Sequence, residues 1–273
     1  MVMRLTRPLA ALILVVGLGA CGSRVTELDF DERPADQLYN EALVLMNEGD
    51  YRTAQLKFEE VDRLHPHSDL GRKSQVMQAF ANYSRGRYTD ASVAAKRFIA
   101  LNPGSPDAAY AQYIIAMSYY RQIPDVTRDQ DGTRRALEAF EVLIEKYPDS
   151  EYVDEARRKY QQVQDQIAGH EMEIGRYYLE RKENLAAINR FRVVVEKYQR
   201  TNQIEEALFR LTESYYALGL TQEAQTAAAV LGHNFPDSRW YKDAYTLLET
   251  GGFSPEENKS SWISRAFKGF NVL

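Results

Sequence analysis

The sequence predicts an all-α protein, an α-solenoid of about five helix–turn–helix repeats closed by a C-terminal capping half-repeat. Three observations carry this. First, Ala54, Ala91, Ala136, Ala187 and Ala224 each open the same apolar spacing: Phe58 and Val61, Ala95 and Phe98, Phe140 and Leu143, Phe191 and Val194, Ala228 and Leu231. Offsets of 0, 4 and 7 form one helical face. Second, twelve residues after those alanines stand Pro66, Pro103, Pro148, Gln199 and Pro236. Third, two residues further on stand Ser68, Ser105, Ser150, Thr201 and Ser238.

The joint has a physical reading. Proline cannot continue a helix and drives the residue before it out of the α region. A serine or threonine then caps the next helix by accepting from an orphan N–H. At Ser105 the following Pro106 suits a first helical position. The first helices of the repeats are therefore expected over Asp36–Asn47, Ser68–Arg85, Ser105–Arg121, Ser150–Arg181 and Thr201–Leu218. Small residues Ala42, Ala79, Gly175 and Thr212 mark where two helices approach closely. Helix, turn, helix, with Ala-x3-Phe and a closing proline, is the tetratricopeptide pattern. Two spacings are long, owing to an insertion at residues 122–133 and an extended first helix from Ser150. Ser238–Thr250 supplies the capping half-repeat.

Ahead of the repeats, Arg4 and Arg7 form a basic stretch and Leu9 to Leu18 an apolar one, too short to span a bilayer. Leu18-Gly19-Ala20-Cys21 follows, and Cys21 is the only cysteine. These residues resemble a bacterial lipobox, so residues 1–20 are expected to be a lipoprotein signal peptide and Cys21 a lipidation site. A lone cysteine also excludes an internal disulfide. Residues 21–35 then form a polar, acidic tether, residues 36–251 the repeat domain and residues 252–273 a tail. Loss of Arg4 and Arg7 moves the net charge from −5 to −7, which argues against a nucleic-acid surface.

Catalytic signatures are missing: the chain has no HExxH, GxSxG, Walker A or GxGxxG motif. His65, His67, His170 and His233 are scattered over joints and one long helix. Residues 127–138 nearly match a calcium loop, but Thr127 stands where Asp is required. The competing reading is an acidic turn that opens the next helix. No metal or cofactor is expected, apart from covalent lipid on Cys21. In the tail, Trp262, Ile263, Ala266, Phe267 and Phe270 share a helical face. That fits either a short amphipathic helix docking on a partner or membrane, or a frayed end.

Stacked repeats leave a groove lined by the first helices. Tyr39, Tyr83, Tyr113, Tyr119, Tyr120, Tyr177, Tyr178, Tyr215 and Tyr216 fall on or near those helices. They serve either as core or as a trough for an extended peptide. Arg72, Lys73, Asn82 and Arg85, with Tyr39 and Tyr83, are candidate groove residues for a segment ending in an aromatic and a carboxylate.

Specific segments add a resemblance. Ile123–Gln130, Tyr147–Tyr152, His170–Met172, Gly175–Arg181 and Asn189-Arg190 resemble the BamD lipoprotein family of the outer-membrane β-barrel assembly machinery of Gram-negative bacteria. The resemblance implies a non-enzymatic scaffold on the periplasmic face of the outer membrane. Its implied partners are BamA, other lipoproteins of that complex and the C-terminal targeting strand of unfolded outer-membrane proteins. It places the strand on the first repeats and BamA on the last, with Arg190 in the BamA contact. The alternative is a tetratricopeptide lipoprotein adaptor for cell-wall or secretion processes.

Cys21→Ala is expected to leave a folded protein that no longer fractionates with the membrane. Retention of that variant through a high-salt wash, with its precursor cleaved normally, shows that lipid is not the main attachment.

Overall fold

The computed structural model describes residues 33–268. Cys21, the 1–20 segment, most of the 21–35 stretch and residues 269–273 lie outside the described residues. Five helix pairs follow one another: α1 (Ala35–Asn47) and α2 (Tyr51–Leu64), α3 (Asp69–Ser84) and α4 (Tyr88–Leu101), α5 (Ala108–Tyr120) and α6 (Asp131–Lys146), α7 (Val153–Glu180) and α8 (Asn184–Lys197), α9 (Ile204–Ala217) and α10 (Thr221–Asn234). Next comes α11 (Arg239–Thr250), the half-repeat, and last α12 (Trp262–Ala266). From α1 to α11 each helix packs on the next, α12 packs on α10 and α8, and first helices also touch across repeats: α1 with α3, α3 with α5, α9 with α11. The first helices thus form an inner layer and the second helices an outer one.

The repeat register is visible in burial. Ala54, Ala91, Ala136, Ala187 and Ala224 are completely buried, as are Phe58, Phe140 and Phe191. Each buried phenylalanine contributes about 1.5–3 kcal/mol from the area it removes from water. Repeats two and five invert this distribution, with Ala95 and Ala228 at the first apolar offset and Phe98 and Leu231 carrying the bulk. Gly175 shows why the paired position is small. A Cβ there would lie 2.3 Å from the Phe191 ring.

The joints also follow the expected physics, with one refinement. His65, Asn102, Tyr147 and Phe235 precede prolines and have φ of −128°, −133°, −129° and −137°. Tyr198 precedes Gln199 and adopts φ −130° nonetheless, so the repeat packing holds this conformation without proline. Ser68 and Ser238 cap α3 and α11, accepting from Gly71 and Trp240 N–H at 2.9 and 3.1 Å. Ser105, Ser150 and Thr201 do not begin α-helix. Each instead opens a single tight turn, accepting through its carbonyl from Ala108, Val153 and Ile204 at 3.1, 3.1 and 3.3 Å. The α-helices α5, α7 and α9 start three residues after these hydroxyls, two later than a cap there would place them, after a turn of 3₁₀ type.

The turn inside each repeat needs a left-handed residue. Gly86 and Gly219 supply it with φ of 75° and 74°. Lys182 takes φ 61° at the same place in repeat four, the one non-glycine residue among the described residues to do so. In repeat three the turn is replaced by the insertion, which folds against α7. Gln166 donates to the Pro124 carbonyl at 3.1 Å, and His170 Nδ1 meets the Val126 carbonyl. The 28-residue α7 gives this insertion its backing. Its buried side chains serve two neighbouring cores: Val163 and Ile167 pack with repeats two and three, Ala168 and Met172 with repeats four and five.

Ala136→Arg is expected to unfold the middle of the stack. It puts an unpaired cation into a fully closed site, a change of about 3–5 kcal/mol. A thermal midpoint within a few degrees of the unsubstituted protein contradicts this register.

Candidate functional site

The inner face of repeats one to four carries a connected aromatic surface. Spacing generates it: Phe80 and Tyr83 on α3, and Tyr110 and Tyr113 on α5, lie three residues apart and so share a helical side. Close packing of α3 on α5 brings the pairs together. Phe80 and Tyr110 have ring centroids 6.0 Å apart, Tyr110 and Tyr152 5.3 Å, and Tyr113 stacks on Tyr152 at 4.9 Å. Tyr83 packs at 5.5 Å on Tyr88. At the N-terminal end Tyr39 meets Phe58 edge-on at 5.4 Å.

Polar groups rim this surface. Tyr113 donates to Glu155 Oε2 at 2.9 Å. Arg121 Nε donates to the Tyr83 hydroxyl at 3.1 Å. Burial, then the nearby Asp107 carboxylate, raises the Tyr39 phenol. Burial, then the Glu151 carboxylate, pushes Tyr152 up to about 12. Tyr110 and Tyr113 are raised as well, by burial first. The phenols therefore stay neutral donors at physiological pH.

The groove residues read from the sequence divide accordingly. Tyr39 and Tyr83 are half-buried parts of the aromatic surface. Arg72 is exposed and turned to the start of its own helix, where it pairs with Asp69. Lys73 is exposed beside it. Asn82 is half-buried and its carbonyl accepts from Arg87 N–H at 2.9 Å. Arg85 ends α3 as its C-cap. No bond joins these four to the Tyr83 hydroxyl among the described residues. The cation there is Arg121, which the groove reading missed along with Phe80, Tyr110 and Tyr152. The three-residue spacing of 80/83 and 110/113 was a signal for two of them. Tyr152 lies in a joint, and only the fold carries it to α5.

Arg190 stands on α8, three residues after Ala187, at a place filled by Ala94, Ala139 and Ala227 in other repeats. Its guanidinium reaches back to Glu171 on α7, Nη1 to Oε2 at 3.1 Å. Glu180 and Glu183 both lie near Arg190 in sequence, but Glu183 pairs with Arg181 at 3.2 Å. The Arg190 side chain remains 41% exposed. An exposed pair of this kind contributes about 0–1 kcal/mol.

Among the described residues no group of three or more His, Cys, Asp or Glu side chains could hold a metal ion. In the 127–138 segment Asp129 accepts from Asp131 N–H at 2.9 Å, Asp131 pairs with Arg134, and Glu138 lines the α4–α6 cavity. Just ahead of it Asp125 accepts from Thr127 N–H at 2.9 Å. No described helix is long and apolar enough to cross a membrane.

The profile of the YfiO family, described as an outer membrane lipoprotein, matches residues 31–231. An outer membrane protein assembly factor BamD from Caulobacter vibrioides is 43% identical over 249 residues, covering 90% of this chain and 82% of that protein. One from Rickettsia prowazekii is 41% identical over 249 residues, covering 90% and 98%. Another, from Neisseria meningitidis serogroup A, is 30% identical over 253 residues, covering 86% and 94%. Among solved structures, the type IV pilus biogenesis factor PilW matches at 17% identity, covering 77% of this chain and 97% of that one, with a TM-score of 0.24, too low to carry an argument. At this identity and coverage, the chain belongs to the BamD family of outer membrane lipoproteins.

Proposed function

We propose that this chain works in outer-membrane protein assembly as a non-enzymatic scaffold, held at the periplasmic face of the outer membrane by lipid on Cys21. Its inner aromatic face receives the C-terminal strand of unfolded barrel proteins. Its later repeats hold BamA through Arg190. The observation that carries the first contact is the continuous run Phe80–Tyr110–Tyr152–Tyr113. An extended peptide gains contact area from rings and hydrogen bonds from neutral phenols, the mode used by peptide grooves. Arg121 beside Tyr83 offers the cation that a terminal carboxylate needs.

For the second contact, the weak tie between Arg190 and Glu171 matters. A pair worth so little can be exchanged for a partner's carboxylate in a drier interface at small cost. Arg190→Glu is expected to weaken binding of the BamA periplasmic region by about 2–5 kcal/mol while helix content is kept. Binding partly returns when the matching acidic residue of BamA becomes lysine. Undiminished affinity in titration removes Arg190 from the interface.

A ten-residue peptide copying a barrel protein's last strand and ending in phenylalanine tests the groove. Tyr83→Ala is expected to weaken it about tenfold, or ~1.4 kcal/mol. Tyr177→Ala, at the exposed end of α7, leaves affinity unchanged. Equal effects of the two place the strand elsewhere.

A further inference from the structure

The outer layer contains a second set of grooves, each over a first helix between two second helices, and the repeat register allows three of them to be compared position by position. Between α8 and α10 the groove is filled by the chain's own tail. There α12 lays Trp262, Ile263 and Phe267 onto the two helices, and Ile263 is completely buried. Trp262 Nε1 donates to the Tyr215 hydroxyl at 3.2 Å, and the Arg192 guanidinium lies 4.8 Å over the indole ring. Gln199 donates to the Ala266 carbonyl at 2.6 Å.

Between α4 and α6 the equivalent groove is open, a cavity of about 580 Å³. Much of its lining repeats that of the filled groove, apart from Gln112, which stands where Leu208 does and donates to the Ala139 carbonyl at 2.8 Å. Lys96, Tyr119 and Val142 stand at the register positions of Arg192, Tyr215 and Val230, and Ile115 on the floor stands where Leu211 does. Lys96 donates to the Tyr119 hydroxyl at 2.6 Å, holding the oxygen that in the filled groove receives an indole N–H. The groove between α2 and α4 differs. Its floor positions are Gln75 and Gln78, which bond to Asp62 at 2.8 Å and to the Phe58 carbonyl at 3.3 Å and leave a smaller, polar-floored cavity of about 220 Å³. So of these three outer grooves one has a polar floor, one is covered by the tail, and the α4–α6 groove is the larger and more apolar of the two open ones.

Charge tells the two seats apart. At the register position of Glu223, the α4–α6 groove has Arg135, exposed and without an ion-pair partner among the described residues. Lys96 stands across from it on the other wall, and Glu138 is the one carboxylate in the lining, so cations outnumber it two to one. The tail itself is basic, with Arg265 and Lys268 beside its apolar face. It suits a seat where Glu223 balances Arg192 better than one where Lys96 and Arg135 outnumber Glu138.

We propose that the α4–α6 groove seats a short amphipathic helix of an assembly partner. That helix has the tail's aromatic spacing, two rings five residues apart with an aliphatic residue beside the first, and carboxylates flanking its apolar face. The contact lies on the layer opposite the aromatic surface and does not depend on the strand or BamA readings.

The probe is a fluorescent peptide copying residues 257–268 with glutamate in place of Arg265 and Lys268, titrated into the full lipidated chain in detergent. Saturable binding is expected, weakened at least tenfold by Arg135→Glu and by raised salt. Ile115→Gln, which copies Gln78 on the floor of the α2–α4 groove, is expected to abolish it, and an unchanged melting curve for Arg135→Glu separates loss of contact from loss of fold. Arg192→Glu leaves it unchanged. No binding at millimolar peptide, or equal affinity with and without Arg135→Glu, overturns the proposal. A photoreactive residue at Ala100 in the assembled complex reads the natural occupant. Crosslinking to a segment with two aromatics and flanking acids supports the proposal. Crosslinking to lipid, to a basic segment or to a second copy of this chain overturns it.

Discussion

The close approach of two helices at a residue with almost no side chain governs this molecule. The Phe191 ring occupies the space that a Cβ on Gly175 would need. Comparable small residues, Ala42, Ala79 and Thr212, are completely buried in other repeats. Interiors pack too tightly to absorb even one added methyl group without displacement. This contact therefore sets the separation of the two helices in a repeat, and with it the pitch at which repeats stack. Inner aromatic surface and outer grooves both follow from that pitch. Phe80 meets Tyr110 because α3 and α5 lie side by side, and the outer grooves open where neighbouring second helices stand apart over a first helix.

Much of this was legible in the sequence, because helix spacing, stop signals and small residues are local properties repeated five times. The register, the long α7, the insertion and the half-repeat could all be read from apolar periodicity and joints. What could not be read depended on residues distant in sequence. Arg121 and Tyr83 are 38 residues apart, and Arg190 and Glu171 are 19 apart across a turn. Glu180 and Glu183 are nearer to Arg190 in sequence than Glu171 is, yet Glu183 pairs with Arg181 and Arg190 reaches Glu171. Proximity along a helix gives candidates for a charge partner, whereas the crossing of α7 and α8 decides among them. The hydroxyls of Ser105 and Ser150 illustrate a smaller limit. Their composition says that a helix starts nearby, and only backbone geometry says that a tight turn intervenes.

The two layers use the repeat differently. On the inner side the same residue type is laid down in successive repeats, so that tyrosines and phenylalanine merge into one surface. Sameness suits an extended ligand, which presents similar groups at regular intervals. On the outer side the repeats are made unlike one another at matched positions. Glutamines floor one groove, isoleucine another and leucine a third; alanine yields to arginine at position 190. Difference suits a scaffold that must hold several partners without confusing them, since specificity is a difference in affinity and wrong charges are its cheapest source.

The tail shows how one such difference works. Four joints use proline, which has no donor and only fixes the backbone. The fifth has Gln199, and Tyr198 before it keeps the same backbone angle as its counterparts, so proline is not required there. Replacing it gains a donor, and that donor holds the Ala266 carbonyl at the end of α12. Thr226 likewise accepts from Asn258 N–H at 3.2 Å, anchoring the approach to the helix from the α10 side. A five-residue helix is far too short to be stable alone. It exists because α8 and α10 supply an apolar seat and the Gln199 joint and α10 supply polar fastenings. The same logic applied to an external segment explains how a solenoid acquires a partner. The seat comes with the fold, and one or two side chains that depart from the repeat determine which helix is admitted.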